Sequence, residues 1–470
     1  MSTTRQKKAR SKLTLGGGRL RFFICVLVCA LLGGCGHHRQ PGAVADLSEI
    51  PQLPSVYVQP GERGPGGDRP RVEEISKEYR QKYFRPWHKA RARYSRDELY
   101  WGVDMFRDRV LYAAQGLPYP QQWFASVRTN ADREGFPAMT SRAGITVRTT
   151  HVRVLPTQEP VFFDPDQAGQ GYPFDMMQNS VLWTNTPVRV VHRSRDKAWL
   201  LVQTAWVYGW VRAQDVAWVS ADQQKRIQHS PLLAVGKDAL PLEDLRGTFH
   251  SMAYIGTLLA IEKQTRHGFQ VMLPARGAHG DLQMCSGLIS PRDARPFPLW
   301  LGPQEVASLA GEMMGQIYGW GGLHARRDCS ASIRDLFTPF GLWLPRNSSQ
   351  QAKAGRVIDL CGLSAADKEE RIAHIGMPFR TLLWKPGHIM LYIGQYQGRP
   401  VMWHTMWGLK TENLWAGEGR HVVGRTVITG LRPGEELSNL ARPEGLLING
   451  IQRMVILGPL QKQFIRPDQD

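Results

Sequence analysis

Tyr318–Ser330 reads YGWGGLHARRDCS, and the rest of the C-terminal half is organised around it. The amphipathic run Gln304–Ile317 precedes it, and Ile333, Leu336, Phe337 and Phe340 follow at the spacing of one buried helix face. The glycine-rich turn therefore delivers Cys329 to the first turn of a new helix. There the unpaired backbone N–H groups and the positive dipole end favour thiolate over thiol. Most free cysteines are inert core residues, so what lies downstream decides whether this one reacts.

A cysteine nucleophile needs an imidazole to hold and deliver a proton, and a polar group to fix that imidazole. Of fourteen histidines, two sit on structured elements after Cys329. His388 opens the strand-like run HIMLYIG after the turn Lys385-Pro386-Gly387, and His404 ends the next expected strand, Val401–His404. Adjacent antiparallel strands would bring the two rings together, with His388 as base and His404 as its orienting partner. His324, His374 and His421 fall in loop-like contexts and are read as surface residues. No metal is expected at Cys329, His388 and His404, because their spacings lack the short ligand pairs of structural zinc sites. No cofactor is expected either.

The chain has 470 residues, 42% of them apolar, and a formal charge of +18. That length implies several domains. The first 34 residues hold seven basic residues and no acid, and without them the charge is +11. The excess suits an anionic surface such as a polymer or lipid headgroups. No compact basic helix or aromatic-interleaved basic patch argues for nucleic acid. The basic N-terminus precedes the apolar run Phe22–Leu32, too short to span a bilayer. Leu32-Gly33-Gly34-Cys35 resembles the bacterial lipobox, which predicts a signal peptide over 1–34 and lipidation of Cys35. Gly36 in place of an aspartate favours the outer membrane, facing the periplasm. Cys285, Cys329 and Cys361 remain, too few and too scattered for a disulfide framework.

Residues 35–71 are rich in proline and glycine and read as a flexible tether. A helical scaffold is expected over 72–138, including Glu73–Tyr83 and a helix over Ser95–Ala113 that Ser95 would cap. From Gly144 short runs of β-branched and aromatic residues alternate with turns, which predicts a first SH3-like barrel over 139–222. A similar strand rhythm places a second over 223–297. The catalytic region is expected over 298–440 and an unassigned tail over 441–470. The fold class is thus multidomain α+β.

YGWGG–x6–CS, LPRNSSQQ (Leu344–Gln351), PGHIMLYIG and the later WHT together resemble the NlpC-type cell-wall peptidases, a papain-like superfamily. The branch most similar carries bacterial SH3-like domains ahead of the catalytic domain. The resemblance spans residues 72–440 and is most specific from Tyr318 to Gly394. It implies hydrolysis of the γ-D-glutamyl–L-diamino acid bond of peptidoglycan stem peptides, with Cys329, His388 and His404 as the catalytic set. It also implies that Asp328 holds the free amine of the substrate's L-Ala and that Tyr318, Ser330 and Ser348 line the same pocket. The first SH3-like domain would wall off the acyl side with an aromatic from Trp206–Trp210, Tyr208 first. Relatives acting on imported fragments need no anchor, so the lipobox departs from that pattern. The competing expectation is a peptidoglycan-binding lipoprotein without catalysis; a dead copy should have lost Cys329, His388 or Asp328, and all three are present.

Overall fold

A computed structural model describes residues 44–59, 69–88, 94–137, 139–413 and 417–458. The expected signal peptide, the lipobox with Cys35, and the last residues of the tail lie outside the described residues. Among the described residues no helix is long and apolar enough to cross a membrane.

The N-terminal scaffold opens with the helix Arg69–Tyr83. Ser95 caps the helix that begins at Arg96, as expected, its hydroxyl accepting from the Glu98 backbone N–H while the Glu98 carboxylate accepts from the Ser95 N–H. The expected long helix does not form. It breaks into Arg96–Leu99 and Trp101–Met105 at Tyr100, whose backbone is not helical. Tyr100 is fully buried with its hydroxyl on the Ala131 carbonyl, and Gly102 presses against Val154, so tertiary contacts override the local pattern.

The first β-unit is a seven-stranded antiparallel sheet running, edge to edge, Gln178–Leu182, Thr150–Arg153, Tyr208–Arg212, Trp199–Gln203, Pro187–Arg193, Arg142–Thr146 and Val216–Trp218. Val152, Val188, Val190, Val202 and Val211 fill one face, and Leu201 and Trp210 pack under the scaffold helices on the other. The second β-unit has five strands, Leu282–Ile289, Gly268–Arg276, Leu258–Thr265, Leu232–Val235 and Ala294–Pro296, with the hairpin Leu240–Glu243/Phe249–Ala253 beside them.

The C-terminal domain packs helices on a six-stranded antiparallel sheet. Its order is Arg356–Asp359, Arg453–Ile456, Thr381–Lys385, His388–Tyr396, Arg399–Asn413, Gly417–Thr429. Two expected boundaries are corrected here. The tail begins too early at 441, because Arg453–Ile456 is an interior strand, with Met454, Val455 and Ile456 buried. The tether runs too far, because Val44–Val58 lies against the C-terminal domain. Tyr57 joins the domain core, and the Gln52 amide donates to the Ile428 carbonyl (2.8 Å) and accepts from its N–H (2.9 Å). Gly417–Thr429 is a sheet edge, and Gln52 satisfies backbone groups that such an edge leaves unpaired. A proline- and glycine-rich composition marks this segment as irregular without revealing that it is docked.

Candidate active site

The nucleophile helix, Cys329–Phe337, starts where the sequence places it. Asp328 is its N-cap, accepting from the Ala331 backbone N–H at 2.8 Å. Its apolar side, with Ile333, Leu336 and Phe337, packs into one core with Ile389, Leu391 and Trp403 of the sheet. Ser332 Oγ meets Thr405 Oγ1 at 2.6 Å, which pins the first turn of the helix to the sheet. Cys329 is buried, with 9% of its surface accessible.

His388 and His404 come together as expected. His388 Nε2 lies 2.8 Å from His404 Nδ1, and His404 Nε2 lies 3.0 Å from Thr429 Oγ1. Thr429 in turn donates to the Gly430 carbonyl, so the chain of hydrogen bonds has a direction: Thr429 accepts from His404 Nε2–H, and His404 Nδ1 accepts from His388 Nε2–H. That leaves His388 Nδ1 as the basic nitrogen. The backbone N–H of Ile389, next to His388, donates to the thiol. One expectation changes: His404 does not end a strand. It stands inside Arg399–Asn413, fully buried, opposite Val427.

The electrostatics oppose the thiolate expected from the helix dipole. Burial, with the Asp328 charge adding to it, pushes the Cys329 thiol up to about 12. Burial holds His404 down to about 3, and burial, then His404 and Lys385, holds His388 well below the ordinary histidine range. Both shifts favour a neutral thiol and neutral imidazoles at rest.

Asp328 is placed differently from the expectation. Arg346 Nη2 contacts its Oδ2 at 2.6 Å, and Ser330 Oγ, Arg346 Nη1 and the N–H groups of Ala331 and Gly321 fill the remaining lone pairs. A substrate ammonium would meet a closed ion pair here, not a free carboxylate. Ser330 belongs to the same cluster, accepting from Arg346 Nη1 at 2.9 Å. Tyr318 is buried beside Asp328 and Cys329, and burial raises its hydroxyl well above the ordinary tyrosine value. Ser348 begins a short helix, Ser348–Gln351, and is partly exposed.

Tyr208 is not at the site. It packs on Tyr94 of the scaffold with ring centroids 4.3 Å apart, and Trp210 is buried in the same cluster. Trp206 does reach the catalytic domain, under the Arg334 guanidinium at 4.4 Å, but at the nucleophile helix's far end. The part of the first β-unit that meets the nucleophile loop is instead the edge strand Gln178–Leu182. Gln178 Nε2 donates to the Gly321 carbonyl at 3.0 Å, and Ser180 Oγ accepts from Arg346 Nε at 3.0 Å. Gly321 and Gly322 have φ of +58° and +90°, and a Cβ on either would strike Gln178 or Val181. These two glycines let the strand close on the nucleophile loop.

Sequence reasoning missed Arg346 although it lies inside LPRNSSQQ; an arginine beside a buried-cysteine motif was the available signal. It also missed Arg327, whose guanidinium bridges Asp238 of the second β-unit and Asp335 of the nucleophile helix, each at 2.8 Å. His324 and His374 are exposed as expected, but His421 is buried. Asp244, His250 and Cys285 place possible ligand atoms within 4.8 Å of one another on the second β-unit, a grouping the sequence did not suggest.

The NlpC/P60 family matches residues 315–405, the span that holds Cys329, His388 and His404. The chain carries an NlpC/P60 domain. Ahead of it, residues 24–136 match the NLPC_P60 stabilising domain, N term, and residues 160–212 match the SH3 domain (SH3b1 type). An NlpC/P60 endopeptidase from Photobacterium damselae subsp. piscicida shares the fold: 24% identity, TM-score 0.76, over 87% of this chain and 97% of that one. An NLPC/P60 family protein from Bacillus cereus aligns at 13% identity and TM-score 0.47, over 67% of this chain and all of that one. No curated protein matches the sequence. The NlpC/P60 match stops at 405, so the strand that carries Thr429 and the interior strand Arg453–Ile456 complete the domain beyond it.

Proposed function

We propose that this protein is a cell-wall cysteine endopeptidase that cleaves the γ-D-glutamyl–L-diamino acid bond of peptidoglycan stem peptides. The observation that carries the reading is the relay His388–His404–Thr429, together with a thiol at a helix N-terminus that accepts from the backbone N–H of Ile389. Cys329 attacks the γ-glutamyl carbonyl as its proton passes to His388 Nδ1. The backbone N–H of Cys329 and neighbouring donors meet the oxyanion, and His388 then protonates the departing amine. Water attacks the thioester, giving the acid and restoring the thiol.

A preference for stem peptides with a free N-terminal L-Ala rests on the closed wall. Gln178, Ser180, Arg346 and Asp328 are all buried along one side of the nucleophile loop. Such a wall suits a short acyl portion better than one continuing into glycan. Asp328 enters this reading as the group that fixes Arg346 and the loop. Incubation with L-Ala-γ-D-Glu-diaminopimelate and with its N-acetylated form tests both parts. Release of L-Ala-D-Glu from the free peptide alone is expected. Equal release from both removes the wall, and none from either leaves only peptidoglycan binding.

Attachment to the outer membrane through Cys35 is proposed from Leu32-Gly33-Gly34-Cys35. Metabolic labelling with a radioactive fatty acid should mark the wild-type protein and not Cys35→Ser; equal labelling would refute it.

A further inference from the structure

Lys385 ends one strand of the hairpin whose other strand begins with His388, and the two residues are directly paired across the Pro386-Gly387 turn. Gly387 has φ +78°, as a tight two-residue turn of this kind requires. Directly opposed residues of an antiparallel pair project from the same face of the sheet, with Cβ atoms about 5 Å apart. Lys385 therefore stands beside the catalytic imidazole. Its stem is pinned from the other side, where a Cβ on Gly450 would meet Lys385 Cε at 2.4 Å and Nζ at 3.5 Å.

The lysine is partly buried, and no acidic side chain pairs with it among the described residues. Of the site's other cations, Arg346 is matched by Asp328 and Arg327 by Asp238 and Asp335. Burial lowers the Lys385 ammonium, charge on Cys329 opposes that lowering, and the Lys385 charge in turn disfavours protonation of His388. An unpaired ammonium at this position works against the imidazolium that the reaction must form. An anion seated on it would remove that opposition.

We propose that Lys385 is a substrate-binding residue that seats a free carboxylate next to the scissile bond. The proposal rests on the stem-peptide reading above, and the chemistry of that substrate supplies the anion. A γ-linked glutamyl residue keeps its α-carboxylate free, which an α-linked one does not, and the leaving diamino acid carries carboxylates of its own. Either source neutralises Lys385 when the substrate is in place. The site would then be completed only by a substrate that brings the missing charge, and α-linked or amidated peptides would be poorer.

Three peptides distinguish the sources: L-Ala-γ-D-Glu-diaminopimelate, the same peptide with the glutamyl α-carboxylate amidated, and the same peptide with the diaminopimelate carboxylates amidated. Wild type, Lys385→Gln and Lys385→Arg are assayed on each, with thermal unfolding to confirm that the variants fold. Lys385→Gln should raise KM on the parent peptide by roughly ten- to a hundredfold, the range for losing a charged hydrogen bond. It should have no effect on the peptide whose amide replaces the contacted carboxylate, and that peptide identifies the source. Lys385→Arg should recover part of the loss. Equal losses on all three peptides, or none on any, would overturn the proposal. Parent peptide uncleaved by wild type would overturn the stem-peptide reading and this proposal with it, whereas normal cleavage of the parent by Lys385→Gln would overturn this proposal alone.

Discussion

Burial and the Asp328 charge raise the Cys329 thiol, so in the proposed mechanism its attack requires His388 to take the proton. His388→Ala should lower kcat by on the order of a thousandfold, within the usual range for a general base. His404→Ala should be milder, because His404 orients the ring and does not move the proton. Thr429→Val removes one hydrogen bond from the far end of the relay and should reduce kcat by roughly two- to tenfold. Equal losses for His388→Ala and His404→Ala would show that base and orienter have been exchanged. The positions of Cys329, His388 and His404 on a helix start and two paired strands could be read from sequence, because each opens or sits on an element with a clear period. Thr429 could not, since only the register of Arg399–Asn413 with Gly417–Thr429 brings it to His404.

The nucleophile helix is positioned from its N-terminus, where Asp328 caps it and Arg346 neutralises the cap. Breaking a buried ion pair from one side leaves an uncompensated charge. Arg346→Ala should therefore destabilise the fold by about 3–5 kcal/mol, measured by urea unfolding, and Arg346→Ala with Asp328→Asn should recover part of that loss. No recovery in the double variant would show that the two residues act independently. The helix and the histidine hairpin were legible because a 3.6-residue apolar rhythm and a Pro-Gly turn report local structure. The part played by Asp328 was not, because Arg346 reaches it from a loop 18 residues away and leaves no periodic trace. The contact between the first β-unit and the nucleophile loop was misplaced for a related reason. Tyr208 and Trp210 stand out in sequence as aromatic, but the scaffold helices cover them, and the strand that meets the nucleophile loop offers polar Gln178 and Ser180.

Across the molecule, the two β-units and the catalytic domain converge on a few buried charges. Arg327 joins Asp238 to Asp335, and Trp183 Nε1 donates to Asp335 at 2.9 Å. Buried neutral histidines add a pH dependence. An unfolded histidine titrates near 6.5, whereas burial holds His151 down to about 4 and His404 to about 3. As pH falls below about 6.5, the unfolded chain takes up protons that the folded chain refuses, so stability is lost on acidification and is complete above that value. Each such group removes up to about 1.4 kcal/mol per pH unit between its two values. The urea midpoint should drop between pH 7.5 and 5, and His151→Gln should flatten the drop; a midpoint independent of pH would contradict this. Domain order was legible in the sequence, since each β-unit advertises its own strand rhythm. The extent of the catalytic domain was not, because Arg453–Ile456 and the docked Val44–Val58 join it over long sequence separations.

The most direct test is turnover of L-Ala-γ-D-Glu-diaminopimelate by the wild-type protein beside a folded Cys329→Ala variant. Release of L-Ala-D-Glu by the wild type, and none by the variant, is the predicted result. Product from Cys329→Ala at a rate near the wild type's would contradict the assignment of Cys329 as the nucleophile.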